Sequence, residues 1–115
     1  MSGSIHKRPA VRLQSRAHVF AALGDETRLA IVAKLADGQP LSISRLTEGS
    51  RMTRQSITKH LRVLENAGMV RCAHRGRESL FEFNPKPIIE IQEYLDRVSK
   101  NWDQALSRLK AFVEE

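Results

Sequence analysis

Cysteine is almost absent from this sequence, because Cys72 is the only one among 115 residues. A single cysteine excludes a disulfide framework and a cysteine-rich metal site within the chain. The histidines, which are the other common transition-metal ligands, are scattered without the spacing of a metal site. They are His6, His18, His60 and His74. The sequence therefore predicts neither a metal nor another cofactor.

Long apolar runs and aromatic residues are also scarce. No stretch approaches the roughly 20 apolar residues that a membrane-spanning helix needs. Residues 1–16 have no apolar stretch after their cations, so no secretory signal is expected. Aromatic residues make up only 5% of the chain, and there is no glycine-rich phosphate loop, nucleophile elbow or suitably spaced carboxylate pair. We therefore expect a cytoplasmic protein that is not an enzyme and does not enter a membrane.

Positive charge is what the chain has in excess, with a net charge of +6 and a pI near 10.1. The charge is uneven: residues 51–77 contain seven Lys and Arg against Glu65 alone, and residues 1–24 contain four more. Residues 25–50 and 78–115 together are acidic. Clustered cations can serve solubility alone, but such an uneven field favours a polyanionic partner.

Apolar residues at three- and four-residue spacings indicate amphipathic helices in the first part of the chain. Asp25, Thr53 and either Ser42 or Ser44 are typical N-cap residues, and Gly68 is placed to end a helix. We expect one domain over residues 10–115. The predicted segments before Gly68 are a flexible basic arm over residues 1–9 and helices over 11–23, 25–36, 42–49 and 53–67.

The period then changes from 3.6 to 2. Residues 69–75 and 78–83 alternate, and Gly76-Arg77 between them is typical of a tight hairpin. A helix-turn-helix followed at once by a hairpin is the winged-helix arrangement. The predicted fold is therefore mainly α-helical with a small β-hairpin, a winged helix-turn-helix dimerised through its terminal helices.

The dimerisation helix is expected at about residues 87–115, where apolar residues recur alternately three and four positions apart. A helix of roughly 28 residues is about 42 Å long, which exceeds the width of so small a domain. Part of this stripe can cover the domain's own core, and the rest is expected to face a second subunit. The C-terminal stripe consists of Ile88, Ile91, Leu95, Val98, Trp102, Ala105, Leu109 and Phe112.

The helix over residues 53–67 has two opposite faces on a helical wheel. Ile57, Leu61 and Leu64 define the buried face. The opposite face carries donors and acceptors with long reach and no carboxylate. Such a helix fits the major groove of B-DNA. The outward side chains are Gln55, Lys59, Arg62 and Asn66.

Base-edge contacts are expected from the N-terminal part of this helix. Arg54 and Lys59 can donate to guanine O6 and N7, and Gln55 can pair bidentately with adenine. Ser56 and Thr58 have hydroxyl groups that can serve either base.

Phosphate contacts are expected farther along the chain. Arg62 is better placed for phosphate than for bases. Arg75 and Arg77 flank the hairpin tip, from which they can reach a backbone or a minor groove. Two interpretations of His60 stay open, because it lies beside the buried face: it completes packing, or it donates to a phosphate.

These segments resemble a known family. The sequence TRQSITKHLRVLENAGMV, residues 53–70, closely resembles the signature of the ArsR/SmtB family of bacterial winged-helix repressors, and GDETRL, residues 24–29, resembles that family's entry to its second helix. The resemblance covers roughly residues 15–85. It implies a homodimer that binds operator DNA, usually as a repressor, and often releases it when a ligand binds. It also implies DNA-reading positions at Thr53, Arg54, Gln55, Ser56, Thr58, Lys59 and His60.

The chain departs from the metal-sensing members of the family, which carry ligands on the helix before the recognition helix or on the terminal helix. Here residues 41–48 read LSISRLTE, and residues 87–115 contain no histidine. The resemblance therefore implies a non-metal-sensing member. Cys72 suits a small apolar strand position, although a thiolate shared between two subunits and redox sensing remain alternatives.

Two functions follow from these features. The first is a sequence-specific dimeric repressor on double-stranded DNA, with a pseudo-palindromic operator whose half-sites lie roughly 34–36 Å apart. The alternative is a protein–protein interaction module that uses the C-terminal stripe to bind another protein. Light scattering distinguishes them, because a monomer with an unpaired stripe favours the alternative.

Overall fold

The computed structural model describes the backbone of residues 9–114 and the side chains of residues 15–114. The predicted basic arm lies outside the described residues except for Pro9, which begins the first helix. Five helices and three strands follow one another in this part of the chain. They are α1 (Pro9–Leu23), α2 (Glu26–Leu35), β1 (Leu41–Ser42), α3 (Ile43–Thr47), α4 (Arg54–Asn66), β2 (Val70–Arg75), β3 (Glu78–Phe83) and α5 (Lys86–Glu114).

The helix starts follow the polar residues that the sequence offers as caps. Asp25, Ser42 and Thr53 each accept a hydrogen bond from the backbone N–H three residues later, at 3.0, 3.2 and 3.1 Å. Each bond satisfies one of the N–H groups that a helix start leaves without a helical partner. Of the two candidates for the third helix, Ser42 is therefore the cap.

The end of α4 is fixed by Gly68, as the sequence predicts. Gly68 has a φ of 79°, a conformation that residues with a Cβ rarely adopt. Its N–H donates to the Glu65 carbonyl at 2.9 Å, and the Met69 N–H donates to the Leu64 carbonyl at 3.0 Å. This pair of bonds is a Schellman motif, and it turns the chain from α4 directly into β2.

The strands form an antiparallel sheet in the order β1-β3-β2. Val70 pairs with Phe83 and Cys72 pairs with Phe81, so both pairs lie on the face that packs against the core. The predicted hairpin is confirmed, and the sheet contains one strand more than predicted. Strand β1 has only two residues, which is too short for an alternating pattern to appear in the sequence.

Helix α4 supplies the centre of the core. Ile57, Leu61 and Leu64 are the residues that the helical wheel places inside, and each is at most 2% exposed. Burial of three such side chains stabilises the domain by about 1.5–3 kcal/mol each relative to exposure. The residues buried around them are Val19, Ala22, Ile31, Leu35, Leu46, Met69, Val70, Phe81 and Ile91.

Helix α5 packs on the domain through its N-terminal part and then extends beyond it. Ile91 is buried, and the Tyr94 ring packs edge-on against Phe20 of α1 with ring centroids 6.4 Å apart. The Cα radius of gyration is 18.9 Å, whereas a compact chain of this length is expected at about 13 Å. Among the described residues, no helix is long and apolar enough to cross a membrane.

Candidate nucleic-acid interface

The outer face of α4 is a continuous polar surface. Gln55, Lys59, Arg62 and Asn66 are all exposed, as the wheel predicts, because the opposite face of the helix is anchored in the core. These side chains offer hydrogen-bond donors and acceptors, and two carry positive charge. The surface has the dimensions of a single helix, which is the width that the major groove admits.

The first turn of α4 is tied to α3 by a side-chain contact. Arg54 Nη1 donates to Ser44 Oγ at 2.8 Å. Both side chains are exposed, and the bond uses one of the five guanidinium N–H groups. The hydrogen bond to Ser44 holds the guanidinium at the start of α4, and its other N–H groups stay available to a ligand. The sequence names Ser44 only as a candidate cap and does not predict its contact with Arg54, because nothing local indicates a contact with a residue ten positions away.

Two threonine hydroxyls in the predicted site have partners within the helix. Thr53 Oγ1 accepts the Ser56 N–H, and Thr58 Oγ1 donates to the Arg54 carbonyl at 2.7 Å. A hydroxyl has one donor and two acceptor positions. Thr53 can therefore still donate, as a phosphate contact requires, and Thr58 can still accept. Ser56 is half-buried beside them.

His60 lies away from the outer face. Its side chain is 18% exposed, and its Nδ1 is 3.3 Å from Arg28 Nη1 and 3.7 Å from Asp25 Oδ2. These contacts favour the packing interpretation over the phosphate contact, which stays a prediction. Arg28 was not among the predicted site residues, since a cation in the first turn of a helix has no distinctive sequence pattern.

Asp25 is held in its charged form. The pKa of Asp25 lies below its ordinary value, chiefly because the carboxylate accepts the backbone N–H of Arg28. The nearby Arg28 charge lowers the pKa further, and partial desolvation opposes both effects. A negative charge therefore remains at the N-terminus of α2, where the helix dipole also stabilises it.

The hairpin of β2 and β3 ends in two cations. Arg75 and Arg77 are both exposed and flank Gly76, whose φ of 64° is the left-handed conformation required by the tight turn. Glu78 pairs with Arg75 across the ladder and is exposed as well. Lower on the same hairpin, Arg71 Nε is 3.6 Å from Glu82 Oε1, so this arginine already has an acidic partner.

Cys72 is half-buried and packs against the core opposite Phe81. This position suits the small apolar role that the sequence suggests. Within the described part of the chain, no three His, Cys, Asp or Glu side chains are grouped so that they could hold a metal ion.

The C-terminal stripe is divided between two environments. Ile91 is 6% exposed and Ile88 is half-buried, because this part of α5 covers the core. Leu95 is 48%, Trp102 65% and Leu109 58% exposed. Phe112 also lies open, and Val98 and Ala105 are half-buried. Apolar side chains exposed in one continuous row on a helix are typical of an interaction surface.

A family model described as a helix-turn-helix domain matches residues 23–73. The chain is 38% identical over 76 residues to the uncharacterized HTH-type transcriptional regulator YuzN of Bacillus subtilis, a region that covers 61% of this chain and 83% of YuzN. It is 32% identical over 95 residues to the HTH-type transcriptional regulator Rv2034 of Mycobacterium tuberculosis, covering 83% and 85% of the two chains. The solved structure of an ArsR-like transcriptional regulator from Rhodococcus sp. RHA1 matches with a TM-score of 0.79 and 33% identity, covering 88% and 94%.

Proposed function

Because the chain belongs to the ArsR family of winged-helix transcriptional regulators, we propose that it is a homodimeric repressor that recognises a pseudo-palindromic operator through α4. One observation carries the proposal: the core anchors one face of α4 and leaves Gln55, Lys59 and Arg62 exposed on the other. Recognition helices in helix-turn-helix proteins present their N-terminal residues to base edges in the major groove.

The side chains of the interface divide by their chemistry. Gln55 and Lys59 lie on the first two turns of α4 and make the base contacts, while Arg62 contacts phosphate. Arg75 and Arg77 extend the contact to the neighbouring backbone or minor groove. Arg54, Ser56, Thr58 and Thr53, whose hydroxyl can still donate, contribute from the start of the helix, and His60 is the weakest candidate because its side chain is only 18% exposed.

A second copy of the chain is the proposed occupant of the C-terminal stripe. Trp102, Leu109 and Phe112 are exposed in a three- and four-residue repeat, which pairs well with the same repeat on another helix. A two-fold axis between identical helices makes each stripe cover the other. The same axis presents two copies of α4 to successive turns of one DNA face, which explains the expected operator symmetry.

The proposed regulator works in the cytoplasm, without a catalytic step. The short helix α3 and the long helix α5 carry no cysteine or histidine, which fits a member that does not sense metal ions. Ligand-dependent release from DNA fits the family resemblance and leaves the chemistry of the ligand open.

The operator is found by selection from random duplexes of roughly 30 base pairs, long enough for two half-sites one helical turn apart. The recovered sequence should contain an inverted repeat, and footprinting should show two protected regions related by a dyad. Light scattering on the free protein should give twice the chain mass. A protein that recovers no preferred duplex contradicts the proposal, and a monomer that also ignores DNA favours the protein–protein module.

A further inference from the structure

The side chain of Arg28 lies where three helices meet. Its Nε donates to the Ala22 carbonyl at 2.6 Å, and its Nη2 donates to the Ala21 carbonyl at 3.2 Å. Both carbonyls belong to the last turn of α1, where helical N–H partners run out. Arg28 itself is on the first turn of α2, so its guanidinium fastens the end of one helix to the start of the next.

The third nitrogen of the same group reaches α4. Arg28 Nη1 is 3.3 Å from His60 Nδ1. A guanidinium only donates, so Arg28 and His60 form a hydrogen bond in the tautomer whose Nδ1 is the acceptor. Asp25 Oδ2 lies 3.7 Å from the same Nδ1 and accepts the Arg28 N–H at 3.0 Å. We call Asp25, Arg28 and His60 the Arg28 cluster.

The Arg28 cluster is the polar connection between α4 and the pair α1–α2. Among the side chains of residues 15–114, no other hydrogen bond or ion pair joins α4 to these two helices. The contacts of α4 with the core are apolar, through Ile57, Leu61 and Leu64, and its other side-chain hydrogen bond to a neighbouring helix joins Arg54 to Ser44 of α3. Apolar burial fixes which face of α4 points to the core, and the contact between Arg28 and His60 adds a directional restraint behind that helix.

A rotation of α4 about its own axis would displace the side chains of its outer face. Lys59 directly precedes His60, and Arg62 follows two residues later, so a rotation that moves the ring of His60 moves both cations by the same angle. Binding groups must be held within roughly 0.5 Å and 10–20° of their working geometry, usually by contacts behind the binding surface. His60 is on that rear side, and it is mostly buried.

We propose that Arg28 is a positioning residue for DNA recognition, because it fixes the rotation of α4 through its hydrogen bond to His60. The proposal rests on the proposed DNA-binding function. The contacts of Arg28 also connect α4 to α5 through α1. Helix α1 packs on α5 through the rings of Phe20 and Tyr94, and the Arg16 guanidinium lies 4.6 Å from the centroid of the Tyr94 ring.

The competing explanation is purely structural: Arg28 caps α1 and the contact with His60 is incidental. The two differ in how substitutions combine. If Arg28 acts through His60, Arg28→Lys and His60→Leu together weaken binding no more than the larger single change. If Arg28 only caps α1, the effects on unfolding add, and specific DNA binding does not depend on His60.

The test uses the full chain and the duplex recovered by selection, with a scrambled duplex beside it. Dissociation constants are measured by fluorescence anisotropy, and urea unfolding is followed for each variant. His60→Leu should weaken binding to the selected duplex about tenfold, the effect of losing one hydrogen bond to a charged group. His60→Gln should restore most of the affinity, because its amide oxygen can accept from Arg28. The matched control is His18→Leu, the same substitution at an exposed position on α1, and it should leave affinity unchanged.

The outcomes separate this proposal from the proposed function. If the wild-type protein prefers no duplex, the proposed function and this proposal both fail. If the wild-type protein binds and His60→Leu binds equally well, the positioning role alone is wrong. If His60→Leu does not fold, the other two variants test the positioning role. His60→Gln should keep the preference for the selected duplex, and Arg28→Lys should lose it. The reverse pattern, or additive losses in the double variant, overturns the proposal.

Discussion

Replacement of Trp102 by alanine should dissociate the proposed dimer. The Trp102 side chain is 65% exposed in the single chain. A tryptophan can bury up to about 250 Å², so about 160 Å² of Trp102 is open to a partner. If truncation to alanine removes about 60 Å² of contact from each protomer, the dimer loses about 3 kcal/mol at 25 cal/mol per Å². That loss corresponds to an increase of roughly 150-fold in the dimer dissociation constant.

The dimer constant is measured by sedimentation over a dilution series. Trp102 is the only tryptophan, so the emission of the wild-type protein should shift to longer wavelength as the dimer dissociates. The matched control is Leu29→Ala, which truncates a side chain that is 51% exposed on α2, away from the C-terminal stripe. The control should not change the dimer constant. The reasoning is refuted if Trp102→Ala and Leu29→Ala dimerise equally, or if the Trp102 emission is independent of concentration.

Three other predictions concern the interface, a turn and a cap. Gln55→Ala should weaken binding by about 1–3 kcal/mol only for duplexes that contain its base pair. Arg62→Ala should weaken binding to all duplexes and reduce the slope of log affinity against log salt concentration by about one. Equal losses on selected and random DNA would contradict these roles. Gly68→Ala should cost about 1–2 kcal/mol in urea unfolding because of its positive φ, while Gly24→Ala, where no positive φ is required, serves as the neutral control. Asp25 has a lower pKa in the folded than in the unfolded state. Its contribution to the free energy of unfolding is therefore present at neutral pH and is lost as the pH falls below about 4 through the folded pKa. Asp25→Asn should lose less stability than the wild type between pH 7 and pH 3, and an identical loss would contradict the assignment.

Features of the fold that depend on neighbouring residues could be predicted from the sequence. The caps at Asp25 and Thr53 and the stop at Gly68 are local chemistry, and the two faces of α4 follow from helix period alone. Strand β1 could not be predicted, since two residues acquire strand geometry only by pairing with β3. This pairing is a contact between residues about 40 positions apart in the chain, and no local pattern encodes it.

The candidate site shows the same division. The exposure of Gln55, Lys59 and Arg62 follows from the wheel, which also places His60 beside the core. The partners of His60 and Arg54 could not be predicted, because Arg28 and Ser44 belong to other helices and meet α4 only after the domain packs. Likewise, the heptad spacing of the C-terminal stripe is uniform, although Ile91 covers the chain's own core and Trp102 remains open. Both surfaces demand the same residue types, so spacing cannot distinguish them.

Both ends of the wing are attached to one turn. The Asn84 amide nitrogen donates to the Gly68 carbonyl at 2.9 Å, and the Asn84 N–H donates to the Met69 carbonyl at 2.8 Å. Gly68 also terminates α4, so the hairpin that carries Arg75 and Arg77 and the proposed recognition helix are joined at the same turn and should move as one unit. When the helix and the hairpin are held at a fixed separation, the base pairs between their contacts can change identity far more easily than they can change in number. In the proposed complex, one base pair inserted between the contacts of α4 and those of the hairpin should therefore remove one of the two.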